Sequence, residues 1–240
     1  MQQAAFDALG LDWTYELLDV PADELRGAVG ALRAPDVAGA NVTIPYKQAV
    51  MDQLDVIAPE ALRARAVNTI VNEDGRLGGY NTDIPAIREA VEQTGVDPQS
   101  ANAVILGSGG AARATAVALD GAHLTFVARN PAAADVPGRV IGWTEPSVAA
   151  LARAADLLIN ATPLGRREEM PLRPAALPRS GALIDLVYVK GGTPLVRKAR
   201  SLGLPTVDGW SVLLAQGAIS FLMWTGQSAP LEAMRETLTP

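Results

Sequence analysis

A glycine-rich turn is the clearest chemical feature of the sequence. An apolar run at residues 103–106 leads into five residues that form the predicted turn: Gly107, Ser108, Gly109, Gly110 and Ala111. The pattern G-x-G-x-x-A between a strand and a helix is typical of dinucleotide binding, because Gly107 permits a tight turn and Gly109 lets backbone amides approach a pyrophosphate. The following helix adds oriented N–H groups and a partial positive charge. Glycines also serve ordinary turns, but the flanking strand and helix favour a dinucleotide site.

The residue after the next predicted strand indicates which dinucleotide binds. In NAD-binding turns an acidic residue about 20 residues further on contacts the ribose 2′-hydroxyl. This chain has Arg129 and Asn130 there. A guanidinium suits a 2′-phosphate by its charge and its bidentate geometry. A solvated arginine at a strand end is the alternative, and the sequence favours NADP over NAD.

Two ionisable side chains are candidates for proton transfer. An enzyme that moves a hydride to a ketone needs a group that exchanges the hydroxyl proton. The one histidine, His123, lies in an apolar run, so Lys47 is the first candidate among three lysines. Asp83 precedes a predicted helix and could simply cap it, just as Lys47 could be a surface residue. If the two side chains meet, the carboxylate would orient the amine and hold its charge.

The elements that must position these residues change character along the chain. Helices are predicted at residues 2–9, 22–32, 46–51 and 59–65, and strands at residues 13–20 and 39–44. Residues 68–71 and 76–80 form a predicted hairpin around Asp74-Gly75. From residue 84, short apolar runs alternate with helices, which implies right-handed βαβ crossovers and a parallel sheet.

This change in pattern predicts an α/β fold with two domains. A Rossmann-type NADP-binding domain at residues 83–209 is inserted in an α/β substrate-binding domain formed by residues 1–82 and 210–240. Ligands are expected in the cleft between the two domains, at the carboxyl ends of the strands.

Composition and charge exclude several classes of function. The formal net charge of −6 opposes binding to nucleic acid or anionic lipid. Cysteine is absent, so disulfides and thiolate metal sites are excluded, which suits a cytoplasmic protein. The apolar stretches fall short of the ~20 residues of a membrane helix, and the N-terminus has no signal-peptide pattern. No metal site is expected, and a monomer or homodimer with a small-molecule substrate is predicted.

Several runs resemble the shikimate dehydrogenase family along nearly the whole chain. They are Asn41-Val42-Thr43-Ile44-Pro45-Tyr46-Lys47, Ala66-Val67-Asn68-Thr69, Asn81-Thr82-Asp83, the glycine turn, Asn160-Ala161-Thr162-Pro163-Leu164-Gly165, Asp185-Leu186-Val187-Tyr188, and Gly209 with Leu213 and Gln216. N-V-T-x-P-x-K and N-T-D in this order are far more specific than the glycine turn alone.

The resemblance implies a reaction and a role for each of these residues. The reaction is the reversible reduction of 3-dehydroshikimate to shikimate by NADPH, in aromatic amino-acid (chorismate) biosynthesis. By resemblance, Lys47 is the proton acceptor and donor, and Asp83 is its partner on the substrate hydroxyls. Leu186 and Gly209 lie near the nicotinamide. The implied substrate-binding residues are Thr43, Asn68, Tyr188 and Gln216.

Two departures from the family pattern leave alternatives open. The family has a strand and a Ser-x-Ser-Pro turn, which binds the substrate carboxylate, before the segment that corresponds to Met1-Gln2-Gln3-Ala4-Ala5-Phe6. We therefore expect Met1 to be an internal methionine of a longer chain. In addition, no basic residue follows Asn130 within residues 131–135, which weakens the predicted 2′-phosphate contact. A quinate/shikimate dehydrogenase and a catalytically weak NADP-binding paralogue are the alternatives.

Overall fold

The computed structural model describes residues 1–238, which divide into two compact units. Among the described residues, the first consists of Met1–Thr82 and residues 214–238, and the second of Asp83–Leu213. The helices are α1 (Gln2–Ala8), α2 (Leu25–Ala31), α3 (Pro59–Ala64), α4 (Asp83–Thr94), α5 (Gly110–Ala118), α6 (Ser147–Ala154), α7 (Pro194–Ser201), α8 (Gly209–Thr225) and α9 (Leu231–Glu236). The strands are β1 (Gly39–Asn41), β2 (Val56–Ile57), β3 (Thr69–Glu73), β4 (Arg76–Tyr80), β5 (Asn102–Leu106), β6 (His123–Ala128), β7 (Arg139–Gly142), β8 (Leu157–Asn160), β9 (Ala182–Asp185) and β10 (Thr206–Val207).

The first unit contains a four-stranded sheet in the order β1-β3-β4-β2. The predicted hairpin is confirmed, with Glu73 opposite Arg76 across a two-residue turn. Asp74 and Gly75 both have positive φ, as a tight hairpin turn requires. One core cluster packs against this sheet and is formed by Val29, Val50, Ala61, Val67, Ile70 and Leu77. A second cluster joins α1 to the final helices and is formed by Ala5, Phe6, Leu214, Phe221 and Met234.

Two predicted elements of the first unit are wrong. Residues 13–20 form no strand in the described chain, and Leu17 and Leu18 are 91% and 67% exposed. Trp13 contacts a helix instead of a strand: its ring lies 5.5 Å from that of Phe6 in α1. Residues 46–51, predicted as a helix, form turns that end in a 3₁₀ helix at Met51–Gln53.

The second unit is built on a six-stranded parallel sheet, which confirms the predicted fold class. The strand order is β10-β9-β8-β5-β6-β7. β5, the first strand of this unit along the chain, lies inside the sheet, with β6 and β7 on one side and β8, β9 and β10 on the other. This is the arrangement of the doubly wound Rossmann fold, in which the strand order reverses, here between β5 and β8. The strands are nearly continuous apolar runs because both faces of the sheet are covered. Ligands in such sheets bind outside the carboxyl ends of the strands, beside this reversal.

The described helices differ from membrane spans in length or composition. None of the helices within residues 1–238 is long and apolar enough to cross a bilayer. In the same residues, no group of three or more His, Asp or Glu side chains converges on a point where a metal ion could bind.

Candidate functional site

The glycine turn joins the end of β5 to the start of α5, at the reversal of strand order. The N–H of Gly107 donates to the carbonyl of Val127 (2.8 Å) and so ties the turn to the end of β6. Gly107 has φ +111°, and a side chain there would lie 3.0 Å from the carbonyl oxygen of Ala161. A glycine is therefore required on two grounds.

The backbone at Gly109, before the first turn of α5, is open to close approach. A Cβ placed on Gly109, the N-cap of α5, would meet no atom within 4 Å, so the backbone can be approached closely. The first turn of α5 carries no acidic residue, and its N–H groups point toward this space. The residues at this position therefore fit the phosphates of a dinucleotide.

Arg129 and Asn130 follow β6 directly. Because β6 is parallel to β5, with Val127 opposite Leu106, both residues lie at the same edge of the sheet as the glycine turn. Both side chains are exposed. They therefore follow the carboxyl end of the strand that neighbours the turn.

A buried polar network lies where β8 and β9 end, on the other side of the reversal. Asn160 and Asp185 are paired across these strands and are both fully buried. The Asn160 amide donates to Asp185 Oδ1 (2.9 Å), and Asp185 also accepts from the Val187 N–H (3.0 Å) and the Thr193 hydroxyl (2.5 Å). Burial raises the pKa of Asp185 to about 6, against the opposing effect of these donors. Sequence reasoning gave no role to Asp185, although an acidic residue closing an apolar strand is a visible signal.

Leu186, Tyr188 and Gly209 are brought close together in the second unit. The N–H of Leu186 donates to the carbonyl of Asn160 (3.0 Å), which continues the ladder beyond β9. A Cβ on Gly209 would lie 2.4 Å from the carbonyl carbon of Val187, so the chain passes directly over this glycine. Tyr188 is 43% exposed, and its ring centroid lies 5.4 Å from that of Trp210.

Lys47 and Thr43 lie in the turn segment after β1 in the first unit. Thr43 is exposed and Lys47 is half-buried. The carbonyl of Lys47 accepts a hydrogen bond from the N–H of Val67 (2.7 Å), and the carbonyl of Thr43 accepts one from Tyr46 (2.9 Å). The backbone at Lys47 is thus fixed beside residue 68, another predicted site residue.

Asn68 and Gln216 are linked by buried hydroxyl groups. The Asn68 amide donates to Thr82 Oγ1 (3.0 Å) and accepts from the Thr82 N–H (2.7 Å). Thr82 Oγ1 is also 3.5 Å from Gln216 Oε1. The hydroxyls of Thr69 and Ser220 complete this group and are 2.9 Å apart. We call Thr69, Thr82 and Ser220 the hydroxyl cluster; sequence reasoning missed it, because single Ser and Thr residues in apolar segments give no distinctive pattern.

Asp83 is the first residue of α4, directly after Thr82 in the chain. It is half-buried and belongs to the second unit, whereas Lys47 belongs to the first. The predicted residues therefore form two sets. Thr43, Lys47, Asn68 and Gln216 lie in the first unit, and the glycine turn, Arg129, Leu186 and Gly209 lie in the second with Asp83 and Tyr188.

Comparison with known proteins connects both sets to one family. Residues 1–70 match the model of the shikimate dehydrogenase substrate binding domain, and residues 209–239 match that of the shikimate 5′-dehydrogenase C-terminal domain. The NADP⁺-dependent shikimate dehydrogenase of Moorella thermoacetica is 40% identical, over 99% of this chain and 86% of the relative.

Solved structures show the same similarity. The shikimate 5-dehydrogenase of Thermus thermophilus, crystallised with NADP(H) and shikimate, matches with a TM-score of 0.85 and 36% identity, over 98% of this chain and 91% of the other. The 5-ketofructose reductase of a Gluconobacter strain matches with a TM-score of 0.85 and 32% identity, over 99% and 91% of the two chains.

Proposed function

The chain belongs to the shikimate dehydrogenase family, and we propose that it catalyses the reversible NADPH-dependent reduction of 3-dehydroshikimate to shikimate, a step of aromatic amino-acid (chorismate) biosynthesis. It is an NADP-dependent oxidoreductase that acts on a CH–OH group. The observation that carries this proposal is that 40% identity to a shikimate dehydrogenase extends over 99% of the chain. The first unit is the proposed substrate-binding domain and the second the proposed NADP-binding domain.

The cofactor would be held by backbone groups and by one cation of the second unit. Amide groups of Gly107 to Ala111 would bind the pyrophosphate at the N-terminus of α5. Arg129 would bind the 2′-phosphate, with Asn130 beside it. When bound, NADPH supplies the hydride that reduces the ketone carbon. Leu186 and Gly209 are proposed to border the nicotinamide ring, which the close approach of Val187 to Gly209 supports.

Lys47 is the proposed acid and base. During reduction its ammonium group would give a proton to the ketone oxygen as that oxygen becomes a hydroxyl, and in the reverse direction its amine would accept the proton. Asp83 is its proposed partner and would accept a hydrogen bond from a substrate hydroxyl. The hydrogen bond from Val67 to the carbonyl of Lys47 supports this role, because it fixes the backbone of the proposed acid.

Neutral hydrogen-bonding groups would recognise the polyhydroxylated ring. The Asn68 Nδ2 carries two hydrogens, of which one is donated to Thr82, and the other suits a substrate hydroxyl. Gln216 sits beside the same threonine and offers a second amide. Thr43 and Tyr188 are the remaining proposed contacts to the ring hydroxyls and the carboxylate. A site of this kind discriminates strongly against substrates that leave its buried polar groups unpaired.

The proposal is tested by comparing substrates at saturating cofactor. Oxidation of shikimate and of quinate with NADP⁺ is followed by the absorbance of NADPH, and reduction of 5-ketofructose with NADPH serves as a third reaction, since a reductase of that sugar shares the fold. We expect kcat/KM for shikimate to exceed kcat/KM for quinate and for 5-ketofructose by more than about tenfold. A difference of about 1.4 kcal/mol in binding free energy produces a tenfold ratio. A preference for quinate or 5-ketofructose would contradict the proposal. NADPH binding without turnover of any of the three would identify a catalytically weak paralogue.

The setting of the enzyme is also part of the proposal. We infer that it acts in the cytoplasm, because a biosynthetic reductase draws on the NADPH of the cell, and that it works as a monomer or homodimer. Light scattering coupled to size-exclusion chromatography distinguishes the two, with a mass of 25.0 kDa for one chain.

A further inference from the structure

Asp185 is a fully buried carboxylate that has no part in the proposed chemistry. Three donors surround it: the amide of Asn160, the backbone N–H of Val187 and the hydroxyl of Thr193. We call the side chains of Asn160, Asp185 and Thr193 the Asp185 clamp. Val187 and Thr193 follow Asp185 by two and eight residues, whereas Asn160 precedes it by 25, so the carboxylate ties two segments of the chain after β9 to a third at the end of β8.

The first of these segments is the loop after β8. Asn160 Oδ1 accepts hydrogen bonds from the N–H (3.1 Å) and the hydroxyl (2.6 Å) of Thr162, and its amide donates to the carbonyl of Leu164 (2.9 Å). Asn160 therefore organises residues 161–164 while it donates to Asp185. Gly165 then packs on Thr193, because a Cβ at this glycine would lie 3.0 Å from the threonine methyl group.

The other two segments are residues 186–188 and the start of α7. The bond from the Val187 N–H to Asp185 turns the backbone immediately after β9. Thr193 is the N-cap of α7: its Oγ1 accepts from the N–H of Val196 (3.2 Å) while its hydroxyl hydrogen goes to Asp185. The carboxylate thus fixes the path from β9 to α7 at both ends.

A carboxylate suits this position better than the nearly isosteric amide. The ionised group only accepts, so three donors from three segments can be satisfied at once. An amide at residue 185 would turn its N–H₂ toward one of these donors, and at Thr193 the oxygen already accepts from Val196. Burial works against the charge, as the raised pKa of Asp185 shows. Stability alone therefore does not explain an ionisable group here. Replacing buried ionic groups with well-packed uncharged residues often leaves protein stability unchanged or increases it.

We propose that Asp185 is a positioning residue: it fixes the backbone of residues 186–188 against Gly209 and so sets the surface on which the nicotinamide half of bound NADP rests. This inference rests on the proposed function, which takes Leu186 and Gly209 to border the nicotinamide. Phosphate binding depends on β5, α5 and β6, at the other side of the reversal in strand order. Loss of the clamp therefore disturbs alignment of the ring more than affinity for the whole cofactor.

The variant Asp185→Asn tests the proposal against the matched control Asp156→Asn. Asp156 also accepts a backbone N–H (2.8 Å) and an amide (3.0 Å), both from Asn102, but it precedes β8 and so lies at the amino end of the same sheet. We expect Asp185→Asn to lower kcat for shikimate oxidation at least about tenfold, since a shift of roughly 1 Å costs up to about 10²-fold. The NADPH Kd, from cofactor fluorescence, should change less than about threefold. Asp156→Asn should leave both values within about twofold.

A second readout needs no turnover. Amide hydrogen exchange in the ligand-free protein should become faster across residues 186–193 in Asp185→Asn and stay unchanged there in Asp156→Asn. Unchanged kcat and exchange in Asp185→Asn would overturn the proposal, as would an equal loss of kcat in the control. If the parent chain does not oxidise shikimate, the proposed function fails, but the exchange comparison still decides whether Asp185 holds this segment.

Thr193 provides a test that does not alter the buried charge. Thr193→Ser keeps the hydroxyl that donates to Asp185 and caps α7, whereas Thr193→Val keeps the shape and removes the hydroxyl. We expect the serine variant to retain kcat within about threefold and the valine variant to lose about as much as Asp185→Asn. If Asp185→Asn does not fold, this pair decides, and equal kcat values in the two Thr193 variants would overturn the proposal.

Discussion

The charge on Lys47 and its ability to exchange a proton are separate properties, and a pair of substitutions can separate them. Lys47→Ala removes both. Lys47→Arg keeps the positive charge but cannot exchange a proton, because a guanidinium is not deprotonated in proteins. We expect both variants to lose about 10² to 10⁴-fold in kcat, the usual contribution of a positioned acid or base. NADPH affinity, measured by fluorescence titration, should stay within about twofold, because the proposed phosphate contacts lie in the other unit. Full activity in Lys47→Arg would show that charge alone is needed.

Arg129 is expected to set the preference between the two nicotinamide cofactors. A hydrogen bond between charged groups contributes about 1.5 to 3 kcal/mol, so Arg129→Ala should weaken NADPH binding by roughly 10- to 100-fold and leave NADH binding nearly unchanged. Arg139→Ala is the control, because Arg139 is also exposed but lies at the start of β7, away from the carboxyl edge. Titration of each variant with both cofactors measures the effect. An equal loss for NADPH and NADH would assign Arg129 a role unrelated to the 2′-phosphate.

The raised pKa of Asp185 predicts how its substitution changes stability with pH. Its folded pKa is about 6 against an ordinary value of 3.8, so between these values the folded chain binds more protons than the unfolded chain. The free energy of unfolding contributed by this group therefore falls as pH rises through that window. At about 1.4 kcal/mol per pKa unit, the charge costs about 3 kcal/mol above pH 6.

Asp185→Asn removes this cost. The free energy of unfolding of the variant minus that of the parent should therefore increase by up to about 3 kcal/mol from about pH 4 to about pH 7. Loss of one acceptor oxygen in the variant lowers this difference by the same amount at every pH. Urea unfolding across this range measures the difference. A pH-independent difference would mean that residue 185 does not titrate in this window, and the prediction would then be wrong.

At the scale of elements, Ser220 connects α8 to the sheet of the first unit. Its hydroxyl accepts from the Asn41 amide (3.1 Å), lies 2.9 Å from that of Thr69 and donates to the Gln216 carbonyl (3.1 Å). Ser220→Ala should lower the free energy of unfolding by about 1 to 3 kcal/mol, because Asn41 and Thr69 each lose a hydrogen-bond partner. It should also raise the KM for shikimate, since Asn68 and Gln216 both depend on the hydroxyl cluster.

Ser211→Ala, near the start of the same helix, is the matched control. Ser211 is exposed and its hydroxyl donates to Asp208 (3.2 Å), so its loss should change the free energy of unfolding by less than about 0.5 kcal/mol. Denaturant unfolding and steady-state kinetics of the two variants provide the comparison. Equal effects of the two substitutions would indicate that the hydroxyl cluster has no special part in substrate binding.

Elements that local chemistry determines could be predicted from the sequence. Asp74-Gly75 supplies the positive φ values of the hairpin turn, and Gly107 the tight turn after β5. Residues 13–20 show why pattern alone can mislead. Period-2 alternation marks a strand only where a neighbouring strand accepts its hydrogen bonds. Here the N–H of Tyr15 donates to the side chain of Gln3 instead (2.9 Å).

The supporting polar groups of the site could not be predicted in the same way. Thr82 and Ser220 are far apart in sequence, yet their hydroxyls lie 3.3 Å apart. Asp185 gains its raised pKa from burial, which depends on how the whole second unit packs. The sequence and its family resemblance predicted residues proposed to touch ligands, whereas the groups that orient those residues emerge only from tertiary contacts.

At the scale of the whole molecule, the proposed ligand contacts are distributed between two separately packed units. The amides of Asn68 and Gln216 belong to the first, and the glycine turn and Arg129 to the second. The chain passes between the units twice, at Thr82–Asp83 and inside α8, at Leu213–Leu214. Each ligand can therefore be expected to stabilise one unit more directly than the other.

Amide hydrogen exchange with each ligand alone tests the assignment of the cofactor to the second unit and of the substrate to the first. A ligand at about 100 times its Kd stabilises the folded state that binds it by about 2.7 kcal/mol. Amides that exchange only when this folded state opens should then exchange up to about 100-fold more slowly. NADP⁺ alone should protect residues 106–113 and 128–131, and NAD⁺ at the same concentration should protect them less, because it lacks the 2′-phosphate. Shikimate alone should protect residues 66–72 and 214–221, which carry Asn68, Gln216 and Ser220. Protection of residues 66–72 by NADP⁺ without any effect at residues 106–113 would reverse the proposed assignment of cofactor and substrate to the two units.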